Sequence, residues 1–198
     1  MDDNLYKPPE AELIDPVSVE NEFYVVSQKK YLVLFFITIG LYPVYWFYKN
    51  WSLYREKTGN KMWPVMRGIF SIFFTHSLFR LVDSRLKEKK FEYEWNPQFV
   101  ATVYVLFAIL GNILDRLSYK EIGSPVTDLL SLGVLPVVGW TLYKAQNAVN
   151  IVCEDPLGVS NNQFTWANII WIVFGTILWG MILLGLYFIV FDPSALDI

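Results

Sequence analysis

Twenty-six consecutive residues, Trp166 to Phe191, carry no charge, and no other stretch constrains the chain as strongly. As a helix this run extends about 39 Å, against a hydrocarbon core of roughly 30 Å. Its clearly polar members are Asn168 and Thr176, and aromatics stand at both ends as Trp166, Trp171, Tyr187 and Phe188. Amphipathic rings in those places form the belt that holds a spanning helix at headgroup level. Burying such a helix inside a soluble domain needs a far longer chain around it than 198 residues. The run predicts a transmembrane helix.

Composition agrees. The chain is 54% hydrophobic and only 18% charged, where soluble domains carry about 25%. A single cysteine, Cys153, excludes an internal disulfide, and no Cys/His cluster is spaced to hold a metal. No cofactor motif occurs either: there is no P-loop, no G-x-G-x-x-G, no G-x-S-x-G turn and no H-E-x-x-H. Residues 1–28 hold seven acids together with Pro8, Pro9 and Pro16, and lack the basic-then-apolar order of a signal peptide. They read as a disordered or loosely docked acidic tail, and residues 29–198 as one helical membrane domain.

Four further segments qualify this picture. Tyr31 to Tyr48 is apolar but reaches only about 27 Å, and Gly40 and Pro43 in its second half predict a kink or a re-entrant break. Residues 64–90 read as one long helix, its first half embedded and its second half wet. His76, Arg80, Asp83, Lys87 and Lys90 recur there at spacings of 4, 3, 4 and 3, with Phe70, Phe74, Leu78 and Leu81 opposite. Phe99 to Leu114 predicts a span ending at Asp115-Arg116. Leu129 to Tyr143 predicts another, followed by an amphipathic piece with Gln146, Asn147 and Asn150. The expected fold is an all-α integral membrane protein. It has about three to four transmembrane helices, a re-entrant or kinked first segment and a long amphipathic interfacial helix. Gly40-Leu41-Tyr42-Pro43-Val44 is echoed weakly by Gly133-Val134-Leu135-Pro136-Val137, as two like helix-kink units would be.

Lysine and arginine excess marks the cytoplasmic side. If residues 31–48 dip in and return, the basic residues divide 14 against 2, a better split than any arrangement in which they cross. A cytoplasmic N-terminus is therefore expected.

Two stretches carry a resemblance. Asn4-Leu5-Tyr6-Lys7-Pro8-Pro9-Glu10-Ala11 resembles the N-x-Y-x-x-P-x-A leader of many uncharacterised bacterial inner-membrane proteins, with Leu5 where proline is usual. Lys30 through Trp51, with Thr38, Gly40, Tyr42, Tyr45-Trp46 and Tyr48-Lys49-Asn50-Trp51, is similar to a family of small bacterial membrane proteins without an assigned role. The resemblance implies a multi-pass protein of the bacterial inner membrane; it implies no activity.

Two sets of residues stand out chemically. Arg67, His76, Arg80 and Asp83 are a candidate polar cluster near the membrane, where ionisable groups tend to be functional. The spacing of the last three also describes the wet face of an amphipathic helix, and Arg67 lies on the other side, suited to snorkelling or to pairing with Asp115 or Asp128. Lys49, Arg55, Lys57, Lys87, Lys89 and Lys90 are candidate headgroup contacts, since each cation near an anionic surface gains on the order of 1 kcal/mol. These features point away from catalysis, which would rest on His76 alone, and away from nucleic acid. They point to a non-enzymatic accessory or scaffold subunit, or a protein that interacts with anionic lipid. A membrane-protein partner or a second copy of the chain is the expected company. The alternative is a small transporter or channel component with a path through Arg67, Asn112, Asp115, Gln146 and Asn150.

Overall fold

A computed structural model describes residues 21–191. The acidic leader at residues 1–20 lies outside the described residues. Among those described there are seven α-helices and no strand: α1 (Gln28–Ile37), α2 (Tyr42–Thr58), α3 (Pro64–Ile69), α4 (Ser71–Glu88), α5 (Pro97–Tyr119), α6 (Val126–Val152) and α7 (Trp166–Phe191). A short 3₁₀ turn, Val159–Asn161, precedes α7.

Three helices are long and apolar enough to cross a membrane: α5, α6, and α7 over Trp166–Ile189. Asn96 caps α5 by accepting from the Phe99 amide, and Pro97 occupies its first turn, where a missing N–H costs nothing. α5 runs on past Asp115 and Arg116, and α6 continues without interruption through Gln146 and Asn150. The separate amphipathic piece expected after Tyr143 is therefore the last turns of α6.

The first apolar segment is broken, as Gly40 and Pro43 predict. Ile39 and Gly40 take positive φ of 52° and 77°, and Pro43 opens the first turn of α2. α2 then comes back alongside α1. The tip of this hairpin is set by close contacts. A side chain at Gly139 of α6 would meet the Phe35 ring, and one at Gly40 would meet Leu135. Those α6 positions lie about 20–25 Å from the Val152 end of a helix about 40 Å long. On α7, Trp179 Nε1 donates to the Phe36 carbonyl at 2.8 Å. The hairpin thus enters beside one end of the bundle and turns back part-way along it. The echo at Gly133–Val137 has no such break, because Pro136 sits inside continuous α6.

Residues 64–90 form two helices rather than one. Gly68 brings α3 against the Val44 carbonyl and Tyr48 of α2, the chain turns at Phe70, and α4 then runs along α5. The buried stripe of α4 is Ser71, Thr75, Leu78, Phe79, Val82 and Leu86. It is rotated from the expected apolar side: Leu78 is common to both, whereas Phe70 is exposed.

Polar groups from distant parts of the chain collect at one end. Arg85 of α4 holds Glu22 with Nε and Nη2 at 2.9–3.0 Å. Lys89 reaches Glu154 and the Val152 carbonyl. Gln28 donates to Asn147 at 2.6 Å, and Tyr93 Oη donates to the Lys144 carbonyl. The neighbourhoods of residues 22–30, 85–96 and 144–163 therefore share one end of the bundle, and the α5–α6 turn forms the other.

Candidate functional site

The core beneath that end is built around a non-helical stretch, Phe23 to Ser27. Phe23 and Val26 are fully buried, so packed chain begins several residues before the predicted domain start at residue 29. A buried backbone outside a helix needs partners for its N–H and C=O groups, and side-chain amides supply them. The Tyr24 amide donates to Asn50 Oδ1 at 3.1 Å, and its carbonyl accepts from Gln146 Nε2. Asn150 accepts from the Val26 amide and donates to the Val26 carbonyl, while Asn161 Nδ2 takes the Val25 carbonyl. Gln146 also bonds Asn150 and accepts from Trp46 Nε1. Asn50, Gln146 and Asn150 are all fully buried. Asn50 also belongs to the sequon Asn50-Trp51-Ser52, which is sealed in the core.

Beside this clamp, α1, α2 and the N-terminal turn of α7 enclose a cavity of about 390 Å³. Lys30 and Lys49 line it, with Tyr24, Tyr42, Tyr45 and Thr38, and with Thr165, Asn168 and Trp171 from the start of α7. Lys30 is 2% exposed, and its ammonium donates to Asn161 Oδ1 and the Gln163 carbonyl, both at 2.6 Å. Both acceptors are neutral. Burial pulls the Lys30 ammonium below the usual lysine range. Among the described residues no carboxylate lines the cavity. At the opposite edge, Leu41, Tyr45 and Trp171 are about half exposed.

The predicted polar cluster does not form. Among the described residues, none of its four members bonds or ion-pairs with another. Arg67 lies over the Trp51 and Phe74 rings at 4.2 and 5.0 Å and reaches neither Asp115 nor Asp128. Those carboxylates accept from Ser131 and Ser118 instead. A guanidinium stacks on aromatic faces at little desolvation cost, which favours this site over a distant carboxylate. His76 Nε2 stands 3.1 Å from Thr102 Oγ1, Arg80 is exposed, and Asp83 accepts from Trp95 and pairs with Lys87.

The candidate headgroup contacts separate into three groups. Arg55 and Lys57 are exposed near the C-terminus of α2. Lys87, Lys89 and Lys90 are exposed around the end of α4, with Lys87 and Lys89 already ion-paired. Lys49 faces the cavity. Lys30, Tyr24 and Asn161 were missed as site residues. The only signal for Lys30 was its place before the apolar run, where any flanking lysine would stand.

Comparison with protein-family models, curated proteins and solved structures gave no match.

Proposed function

We propose that this is a non-enzymatic, multi-pass protein of the bacterial inner membrane that binds anionic lipid at the cytoplasmic leaflet, as an accessory or scaffold component. One observation carries the reading. The end of the bundle that gathers Lys30, Lys49, Arg55, Lys57 and Lys87–Lys90 is also the end where the α1–α2 hairpin enters part-way and returns. Apolar residues near the hairpin tips, Leu41, Val44, Val65, Ile69, Phe70 and Phe73, are exposed. Such surfaces suit the acyl region of one leaflet, while the cations suit its headgroups. The N-terminus is then cytoplasmic. The transport alternative draws less support, because Gln146 and Asn150 are committed to holding residues 24–26. Arg67, Asn112 and Asp115 each have other local partners.

The test is lipid analysis of the protein extracted from native membranes. Enrichment of anionic over zwitterionic phospholipid, relative to the bulk membrane, is expected. Bulk proportions in the purified sample would defeat the reading.

A further inference from the structure

We propose that the cavity between α1, α2 and the start of α7 seats the phosphate of one anionic phospholipid, with Lys30 and Lys49 as its cationic contacts. This rests on the lipid-binding reading above and adds a stoichiometric site to it. Attraction to a basic surface is diffuse and needs no cavity.

The charges that the described residues bring to the cavity have one sign: two lysines line it and no carboxylate does. Among the described residues neither lysine has an ion-pair partner. An ammonium has three N–H donors, and Lys30 uses two of them on neutral oxygens, so among the described residues one donor and the charge are left without an opposing partner. Burying an unpaired charge is costly, so a nearby anion stabilises this arrangement. Tyr42 adds a second observation. It lines the cavity at 7% exposure, and its buried hydroxyl stands beside that of Tyr24 without a hydrogen bond of normal geometry. Thr165, just before the 26-residue α7, and Ala167 and Asn168 of its first turn contribute to the wall, which brings the positive end of the helix dipole to the same place.

The opposite edge selects the source of the phosphate. Leu41 at 51%, Tyr45 at 44% and Trp171 at 51% are exposed there. A free phosphate gains nothing from that edge, whereas a phospholipid lays its acyl chains against it. A volume of about 390 Å³ is at the small end for a ligand pocket. It accommodates a headgroup with its glycerol and leaves the chains outside.

The test is native mass spectrometry of the full chain in detergent, titrated with dioleoyl phosphatidylglycerol, dioleoyl phosphatidylcholine or glycerol phosphate. The proteins compared are wild type, Lys49→Gln, Lys49→Glu and a triple variant with Lys87, Lys89 and Lys90 changed to Gln. Lys49 is chosen over Lys30 because Lys30 also ties α1 to the Asn161–Gln163 loop. One phosphatidylglycerol per chain is expected on wild type and on the triple variant. Lys49→Gln is expected to weaken it roughly 10-fold, as loss of a charged hydrogen bond does, and Lys49→Glu further. Glycerol phosphate at equal concentration should not displace it. Equal binding by Lys49→Gln and wild type, with loss only in the triple variant, would overturn the cavity site and leave the lipid reading standing. Displacement by glycerol phosphate would make the site one for a soluble phosphate and overturn the lipid assignment. No preference of wild type for phosphatidylglycerol over phosphatidylcholine would overturn both.

Discussion

Helices α6 and α7 are nearly equal in length, 27 and 26 residues, and both are apolar enough to span. They treat their surfaces in opposite ways. α6 buries Thr141, Gln146 and Asn150 among Leu142, Ala145, Ala148 and Val149, and holds residues 24–26 through its amides. α7 touches the rest of the described chain chiefly through α1, at Gly175 and Trp179, and leaves Ile170, Val173, Ile177, Met181, Leu183 and Leu184 exposed. Each helix is long and apolar enough to cross a bilayer. Apolarity does not decide which helix organises the protein; buried amides do, because in a water-free interior each must find a defined partner.

The contrast is broken most completely if the two helices do not cross a membrane in the proposed orientation. Reporter fusions after Lys30, Lys90 and Lys144 should all read cytoplasmic, and fusions near Gly123 and after Asp192 should read external. A periplasmic signal after Lys30 would mean that the α1–α2 segment crosses, and would remove the shared polar end.

Next in size is the amide clamp. Asn150→Leu leaves the Val26 amide and carbonyl without partners and strips Gln146 of one. Unsatisfied buried groups cost about 1–3 kcal/mol each, so a loss of about 4 kcal/mol is expected in detergent unfolding. Thr176→Leu on α7 removes only a local bond to the Ile172 carbonyl at an exposed position and should be near neutral. Equal losses in the two variants would erase the distinction between the helices.

The α1–α7 contact comes third. A Cβ at Gly175 would collide with the Ile37 carbonyl, whereas nothing lies within 4 Å of one at Gly180 or Gly185. Gly175→Leu should therefore cost about 1–3 kcal/mol by overpacking and loosen α7. Gly180→Ala should pass unnoticed, which thermal unfolding of the two variants side by side would register. A destabilised Gly180→Ala would instead point to a face of α7 that packs on something beyond this chain.

The smallest effect is expected at His76. Its contact with Thr102 is a single exposed one, and Gln keeps a polar group there, so stability should change by less than about 0.5 kcal/mol. Complementation of a deletion strain by His76→Gln should be full at normal membrane expression. Loss of function at normal expression would reopen catalysis at α4.

Much of the fold was legible because it depends on one-dimensional signals. The charge-free run at 166–191 announced α7, and Gly40 and Pro43 announced the break, since a left-handed residue followed by a helix-opening proline has few alternatives. The basic-residue count placed residues near 30, 90 and 144 on one side, and the contacts of Lys89, Gln28 and Tyr93 gather those neighbourhoods at one end. The break at Phe70 was not legible. Gly68 matters there for its closeness to Val44 across a helix pair, which no local pattern records. Nor was the candidate cavity. It draws Lys30 from α1, Lys49 from α2 and Asn168 from α7, residues separated by up to 138 positions. Of the candidate polar-cluster and headgroup residues named from the sequence, Lys49 alone lines it.

By itself, then, the sequence determined which stretches are apolar and long enough to match a bilayer, to within one helix of the three found, and that the neighbourhoods of residues 30, 90 and 144 fall together. These depend on length, composition and local order, because transfer of apolar surface sums along the chain whatever it touches. Tertiary structure decided the rest: that Asn50, Gln146 and Asn150 spend their amides on the backbone of residues 24–26, and that Lys30 is buried against neutral oxygens. Hydrogen bonds are directional and short, so which groups satisfy one another depends on where distant segments meet, and spacing along the chain carries no record of it.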